Sequence, residues 1–259
     1  MCYNTQMDYI DSHCHIHSTD WPFDAKQSMK LAKDSGVSRV FCIGTSINDS
    51  RHAIEFAEKY PGAAYAVIGV HPHAEGFSDA SSTFLGSSKQ LAKLVRNPTV
   101  IAIGEIGLDY HYKPFDRDSQ IKLMEEQLAL AAAHSLPVVF HVREAFDDIW
   151  PVLDNFPNIQ GVMHSFSDDE ANLHKSLDRS FYVGVNGLAT FTNIPLPPLD
   201  RMLLETDAPF LAPPPFRGKP NQPAYIPYIA QYLSQKLNLP LAEIATKTTS
   251  NTETLFHLV

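Results

Sequence analysis

The sequence predicts an α/β fold, a (β/α)8 barrel of the TIM type, and three observations carry that prediction. Short apolar runs, many of them β-branched, alternate with longer segments of helical period over most of the chain. Eight such runs in 259 residues match the size of a barrel better than an open sheet wound on two sides. Residues able to bind a metal stand at the ends of these runs, and C-terminal strand ends are where a parallel barrel gathers reactive groups. Composition does not separate one large domain from two small ones, but the unbroken alternation does. Residues 1–259 are therefore read as a single barrel domain.

Taken in order, the strands are expected at 7–11, 38–44, 63–70, 99–105, 137–142, 159–164, 181–185 and 201–207. Helix-like stretches lie between them near 24–35, 48–60, 84–97, 117–135, 144–155 and 168–178. The clearest is 117-RDSQIKLMEEQLALAAAHS, in which Ile121, Met124, Leu128 and Ala131 recur at spacings of three and four. Turn signals such as Asp34-Ser35-Gly36-Val37 and Tyr60-Pro61-Gly62 close helices just before the next strand. Two more helical segments, near 223–237 and 240–257, follow strand eight. The seventh unit is the exception. Only 187-GLATFTNIPLPPLD joins strands seven and eight, and its prolines at 195, 197 and 198 oppose a crossover helix. A seventh helix shortened or missing is the expectation.

A net charge of -9 argues against a broad electropositive face that would hold duplex DNA, though it leaves room for a local site. Three cysteines, Cys2, Cys14 and Cys42, make no disulfide framework and point to a reducing compartment. No stretch approaches the roughly 20 apolar residues that span a bilayer, and the N-terminus MCYNTQMD lacks a signal-peptide layout. A soluble, cytoplasmic protein is expected.

Six of the eight expected strands end in a candidate ligand: Asp11, His13 and His15 on the first, His71 after the third, Glu105 on the fourth, His141 on the fifth, His164 on the sixth and Asp207 on the eighth. Singly, each has an ordinary reading as a hydrogen-bonded or solvated side chain. Jointly they crowd carboxylates and imidazoles at one mouth, a costly arrangement that a pair of divalent ions would compensate. Alternate residues of a strand face the same way, so His13 and His15 suit one ion while Cys14 points elsewhere. Nitrogen and oxygen donors without thiolate favour Zn, Mn, Fe or Mg. Glu105, centrally placed between Gly104 and Gly107, suits a carboxylate bridging two ions.

Together, DSHCHIH at 11–17, GVHPH at 69–73, GEIGLDY at 104–110, FHVREA at 140–145, HSF at 164–166, LLETDAPFLAP at 203–213 and RGKPNQP at 217–223 resemble the TatD family of metal-dependent hydrolases, in family order and over nearly the whole chain. The resemblance implies two divalent ions, Zn, Mg or Mn. His13, His15 and Asp207 would hold one, His141 and His164 the other, with Glu105 between them. It implies that His71 and Arg143 reach substrate phosphate and that Arg217 helps at the rim. His17 and His73 are left to outer contacts or solvent, and Asp11 is read as strand-end structure, with the orienting of a ligand imidazole as its further role. The chain departs from the family pattern at 187–200, where a full helix is usual.

The activity implied is deoxyribonuclease action, exonucleolytic hydrolysis of phosphodiesters at nucleic acid ends, single-stranded or frayed, by a monomer without membrane contact. Two ions about 3.5–4 Å apart would activate water, with Glu105 and Asp207 as catalytic carboxylates and Asp207 as proton acceptor or as ligand only. A lactonase, amidase or phosphotriesterase on the same ligand set is the first rival, though its usual strand-four Lys is replaced by Glu105. An inactive barrel serving as a binding protein is the second, yet no ligand position is missing. His13→Ala or His15→Ala is expected to remove bound metal and activity together, with His17→Ala retaining both. Metal content after dialysis checks this, and equal losses for all three would show the strand face misread.

Overall fold

The computed structural model describes residues 7–73 and 83–258, the side chains of 83–87 excepted; residues 1–6, with Cys2, lie outside the described residues. Eight parallel strands form one sheet in chain order. They are β1 (Tyr9–Cys14), β2 (Val37–Ile43), β3 (Ala64–Ile68), β4 (Val100–Asp109), β5 (Val138–Arg143), β6 (Gly161–Met163), β7 (Tyr182–Val185) and β8 (Met202–Leu204). The helices are α1 (Ala25–Asp34), α2 (Ile47–Lys59), α3 (Thr83–Leu94), α4 (Arg117–His134), α5 (Phe146–Asp154), α6 (Glu170–Asp178), α7 (Ile226–Leu237) and α8 (Leu241–Phe256). Side-chain oxygens cap several N-termini, as Asp24 does on the Gln27 amide, Ser46 on Asp49 and Asp116 on Ser119. Among the described residues no helix is long and apolar enough to cross a membrane.

One apolar cluster draws Ile10, Phe41, Ile43, Val67, Val139, Val162 and Leu203 from six strands and is closed by Leu255 and Phe256 at the end of α8. It fills the barrel as packed side chains, so only the opposite mouth is left for chemistry. Between β7 and β8 there is no α-helix, only two 3-10 turns, Gly187–Thr190 and Leu199–Arg201. The prolines account for this, and α8 supports the gap: the buried Asn251 donates its two amide hydrogens to Leu199 O (2.8 Å) and Met202 O (2.9 Å).

β4 runs four residues past its expected end at Glu105. Gly107, which flanks Glu105 on the C-terminal side, lies inside the ladder opposite His141. Its φ of 150°, and a Cβ that would sit 1.9 Å from His141 O, require glycine there. β8, in contrast, stops at Leu204, and Asp207 stands in the turn beyond it with φ 55°.

Two glutamines on the buried face of α4 clamp the strand ends beside it. Gln127 accepts from Val70 N (2.8 Å) and donates to Val70 O (3.0 Å); Gln120 accepts from Asp109 N (2.8 Å) and donates to Asp109 O (2.9 Å). Each amide satisfies both backbone groups of one residue.

β1 and β8 close the barrel without a regular ladder. Asp207 N donates to His13 O (2.9 Å), His15 N to Ala208 O (2.8 Å) and Ser12 Oγ to Leu204 O (2.9 Å). Asp11, fully buried, accepts from Thr206 N (2.9 Å) and from the Thr206 hydroxyl (2.6 Å). Asp11 thus acts as strand-end structure, holding the backbone just past β8, and its hydrogen bonds go to Thr206 and not to a ligand imidazole. Burial pushes its carboxyl up to about 7, against the pull of the Thr206 hydrogen bonds. Asp11→Ala strips the acceptor from two buried donors and should lower stability by about 2–4 kcal/mol. A lower urea midpoint at unchanged slope would show this, and an unmoved midpoint would mean the seam does not depend on the carboxylate.

Candidate metal centre

The mouth is a cleft of 1090 Å³ lined by His15, His71, Glu105, His141, Arg143, His164 and Asp207, with His13 buried beneath it. His13 Nε2 lies 3.5 Å from Glu105 Oε2 and 3.6 Å from Asp207 Oδ1. His15 Nε2 is 3.7 Å from the same Asp207 oxygen, and His164 Nε2 is 3.8 Å from both Glu105 Oε1 and Asp207 Oδ1. His141 Nδ1 completes the row, 2.7 Å from Glu105 Oε1. Donor atoms of His13, His164 and Asp207 lie within 4.8 Å of one another, as do those of His13, His15 and Glu105, and those of Glu105, His141 and His164. His71, Asp109 and His141 form a fourth such group, so Glu105 belongs to two of four overlapping groups.

Outer contacts decide which ring nitrogen faces inward. His15 Nδ1 lies 2.9 Å from Ile43 O, an acceptor only, so Nδ1 carries the proton and Nε2 offers its lone pair to the cleft. His164 Nδ1 sits 3.0 Å from Glu205 Oε1, a carboxylate that favours the proton on that nitrogen, with the same outcome. His13 has no hydrogen-bond partner at either ring nitrogen although it is buried, and its ring stacks on His164 at 3.4 Å. An orphaned imidazole nitrogen facing two buried carboxylates is costly unless a cation joins them, so the donor set fits a metal ion.

The charges tell the same story. Burial alone would lower the His164 and His141 pKa values. The Glu205 and Asp207 carboxylates nevertheless raise His164 to about 10, and Asp109 and Glu105 raise His141 to about 9. Burial pulls His13 down, helped by the neighbouring His164. Burial alone would raise Glu105, yet its carboxyl stays well below the usual carboxylate range through the nearby His13 imidazole and its hydrogen bond to His141. The carboxylates outnumber their compensation, and the site takes up positive charge, as protons or as a cation.

Comparison with known proteins agrees with this donor set. The profile of the TatD related DNase family matches residues 10–257. The chain belongs to the TatD family. This TatD-family protein is a metal-dependent hydrolase. It is 33% identical to the uncharacterized metal-dependent hydrolase YabD of Bacillus subtilis, over 96% of this chain and 99% of that protein. It is 34% identical to the 3'-5' ssDNA/RNA exonuclease TatD of Pantoea vagans, again over 96% and 99%. The crystal structure of YjjV, a TatD homolog from Escherichia coli, superposes with a TM-score of 0.88 at 30% identity, covering 97% of this chain and 99% of that one.

Within this TatD barrel the structure adds carboxylates that the sequence reading passed over. Asp109, at the end of β4, lies 2.9 Å from His141 Nε2 and 3.3 Å from His73 Nε2, so His73 supports a carboxylate instead of facing only solvent. It was hidden because the strand was ended at Glu105. Glu205 contacts His164 and also accepts from Ser165 N (2.7 Å) and Asn186 Nδ2 (3.2 Å). Its position two before Asp207 was the available signal, since on the strand expected over 201–207 alternation would turn both the same way, although the observed strand stops at Leu204.

His17, to which the sequence assigns no particular partner, makes an outer contact. Its buried side chain lies 3.3 Å from Asp49 Oδ1, and Asp49 also accepts from Thr45 N and the Thr45 hydroxyl. Cys14 does point away, its thiol 3.4 Å from Phe41 O.

Of the residues expected to meet substrate, His71 and Arg143 line the cleft and Arg217 does not. Arg217 donates to Ala212 O (3.1 Å) and lies 3.5 Å over the Phe191 ring, so its guanidinium is spent on its own loop. His71 Nδ1 accepts from His73 N (3.1 Å), which leaves Nε2–H pointing inward. Burial lowers its pKa to about 4, so at neutral pH it is an uncharged donor.

A pH test follows. A His whose folded pKa is raised adds stability fully below its unfolded value near 6.5, and that contribution disappears as pH rises through about 9 to 10. A metal needs those same nitrogens bare. Adding Zn or Mn to chelator-treated protein at pH 7.5 in dilute buffer should therefore release protons, seen with an indicator dye, and affinity should climb with pH. Binding without proton release would contradict the assignment.

Proposed function

We propose that this TatD-family hydrolase removes nucleotides from the ends of single-stranded nucleic acid and binds two divalent ions, Zn, Mg or Mn, to do so. His13, His15 and Asp207 would hold one ion, His141 and His164 the other, with Glu105 between. The observation that carries this reading is the unpartnered His13 Nε2 between Glu105 and Asp207 at the floor of an open cleft. The exonuclease name of the Pantoea vagans relative supports the substrate. We read the chain as one domain acting as a cytoplasmic monomer.

Divalent ions in such a site lower the pKa of a water and offset charge on phosphoryl oxygens. The protein's own groups supply the rest. His71 Nε2–H donates to a phosphoryl oxygen without adding charge, and Arg143 anchors a neighbouring phosphate from the rim. Asp207 turns Oδ1 to the three imidazoles, leaving Oδ2 to accept the proton of the attacking water. Glu205 and Asp109 hold His164 and His141 in the required tautomers. The net charge of -9 confines attraction for a polyanion to this mouth, and binding should weaken as salt rises.

Hydrolysis of end-labelled single-stranded DNA by wild type, Asp207→Asn and chelator-treated protein tests the reading, with a lactone alongside. Asp207→Asn should lose about 100- to 10,000-fold in kcat. Chelation should abolish turnover and added Mn or Mg restore it. DNA left intact with every divalent ion, with the lactone opened, would transfer the site to a small neutral substrate.

A further inference from the structure

The two most exposed large apolar side chains of the described residues, Phe210 at 60% and Tyr112 at 58%, both line the cleft that holds the histidines and carboxylates. Apolar surface scattered at random would not select one mouth. Each ring stands three residues beyond a carboxylate of the site, Phe210 after Asp207 and Tyr112 after Asp109. The Phe210 turn is fixed by its amide, which donates to Asp207 O (2.8 Å), and its ring lies 6.4 Å from that of His15. The Tyr112 ring meets His73 edge-on at 5.4 Å and His111 at 4.9 Å, with the Arg143 guanidinium 5.3 Å above it. His15 contacts Asp207 at one end of the donor row, and His73 contacts Asp109 at the other. The rings therefore flank the row from opposite ends, in a cleft of 1090 Å³ that exceeds what one phosphate needs.

From this geometry we propose that Phe210 and Tyr112 are the base platforms of the site, each stacking one unpaired base on either side of the scissile phosphate, and that they make the enzyme select single strands. The proposal rests on the nuclease reading above. A base offers its face to an aromatic ring only when it has left the duplex stack, so two platforms beside the reacting groups admit splayed nucleotides and turn away paired ones. Stacking is indifferent to sequence, since every base has a π-face. It also supplies affinity that an acidic surface cannot, and Arg143 adds a cation beside the Tyr112 platform.

The test compares kcat/KM for wild type, Phe210→Ala, Tyr112→Ala, Phe210→Tyr and Tyr112→Phe on three end-labelled probes. These are a single-stranded oligonucleotide, the same strand in a blunt duplex, and the same strand carrying baseless tetrahydrofuran at its last two positions. Wild type should favour the single strand over the duplex. Each alanine variant should lose about 5- to 100-fold on the single strand, the range that a lost base–ring stack allows. The aromatic replacements should keep most of the wild-type rate. On the tetrahydrofuran probe wild type should fall by a comparable factor, and the alanine variants should fall no further, because the base that each ring would hold is already gone. Alanine variants as fast as wild type on the single strand, or equally slowed on both strands, overturn the platforms while leaving the nuclease reading intact. No cleavage of any probe by wild type with Zn, Mn or Mg overturns both.

Discussion

Asp11 takes the amide and hydroxyl of Thr206 across the junction of β1 and β8, and the placing of His13 and His15 against Asp207 follows from that contact. Strands β1 to β8 pair in sequence, so the only join not made by neighbours in the chain is the one that brings 11–15 to 204–208. His13 and His15 are on one side of it and Asp207 on the other, with Asp207 N bonded directly to His13 O. A slip of one residue at this seam would turn the imidazoles to the opposite face and dissolve the site. A side chain grips the junction where a ladder does not, which is why a carboxylate so costly to bury is kept there.

Around this seam each of four histidines has one ring nitrogen held by a group outside the six-donor set. Ile43 O fixes His15, Glu205 addresses His164, Asp109 addresses His141, and the His73 amide fixes His71. Each contact chooses which nitrogen faces inward, so one residue type serves in two ways, as a lone-pair donor in His15 and as a hydrogen-bond donor in His71. The absent seventh helix does not disturb this arrangement. Asn251 of α8 secures the start of β8 by its backbone, and Glu205 and Asp207 follow a few residues on.

The barrel was legible in the sequence because its period is: apolar runs and helical stretches alternate, and prolines mark the unit that lacks a helix. The six donors were legible because strand ends converge, whatever the distance between them in sequence. What could not be read were partners chosen by the third dimension. Asp49 meets His17 from the following βα unit, and Thr206 meets Asp11 from 195 residues away. The end of β4 was set too early at Glu105, whereas Gly107 lets the strand pass tightly against His141 and run on, and Asp109 thereby joins the site. Arg217 illustrates the opposite error, a cation near the rim in sequence whose charge is turned onto Ala212 and Phe191.

The glutamine clamps of α4 separate two properties that metal sites often mix. Val70 precedes His71, and Asp109 closes β4, so both loops that carry the far end of the donor row hang on Gln120 and Gln127. A glutamate in either place could accept but not donate, and its grip would change with its protonation. An amide has no proton to lose over any pH at which the protein is folded. These two loops are thereby held by contacts deaf to acidity, while the groups they present respond to it and the Asp11 seam titrates near neutrality.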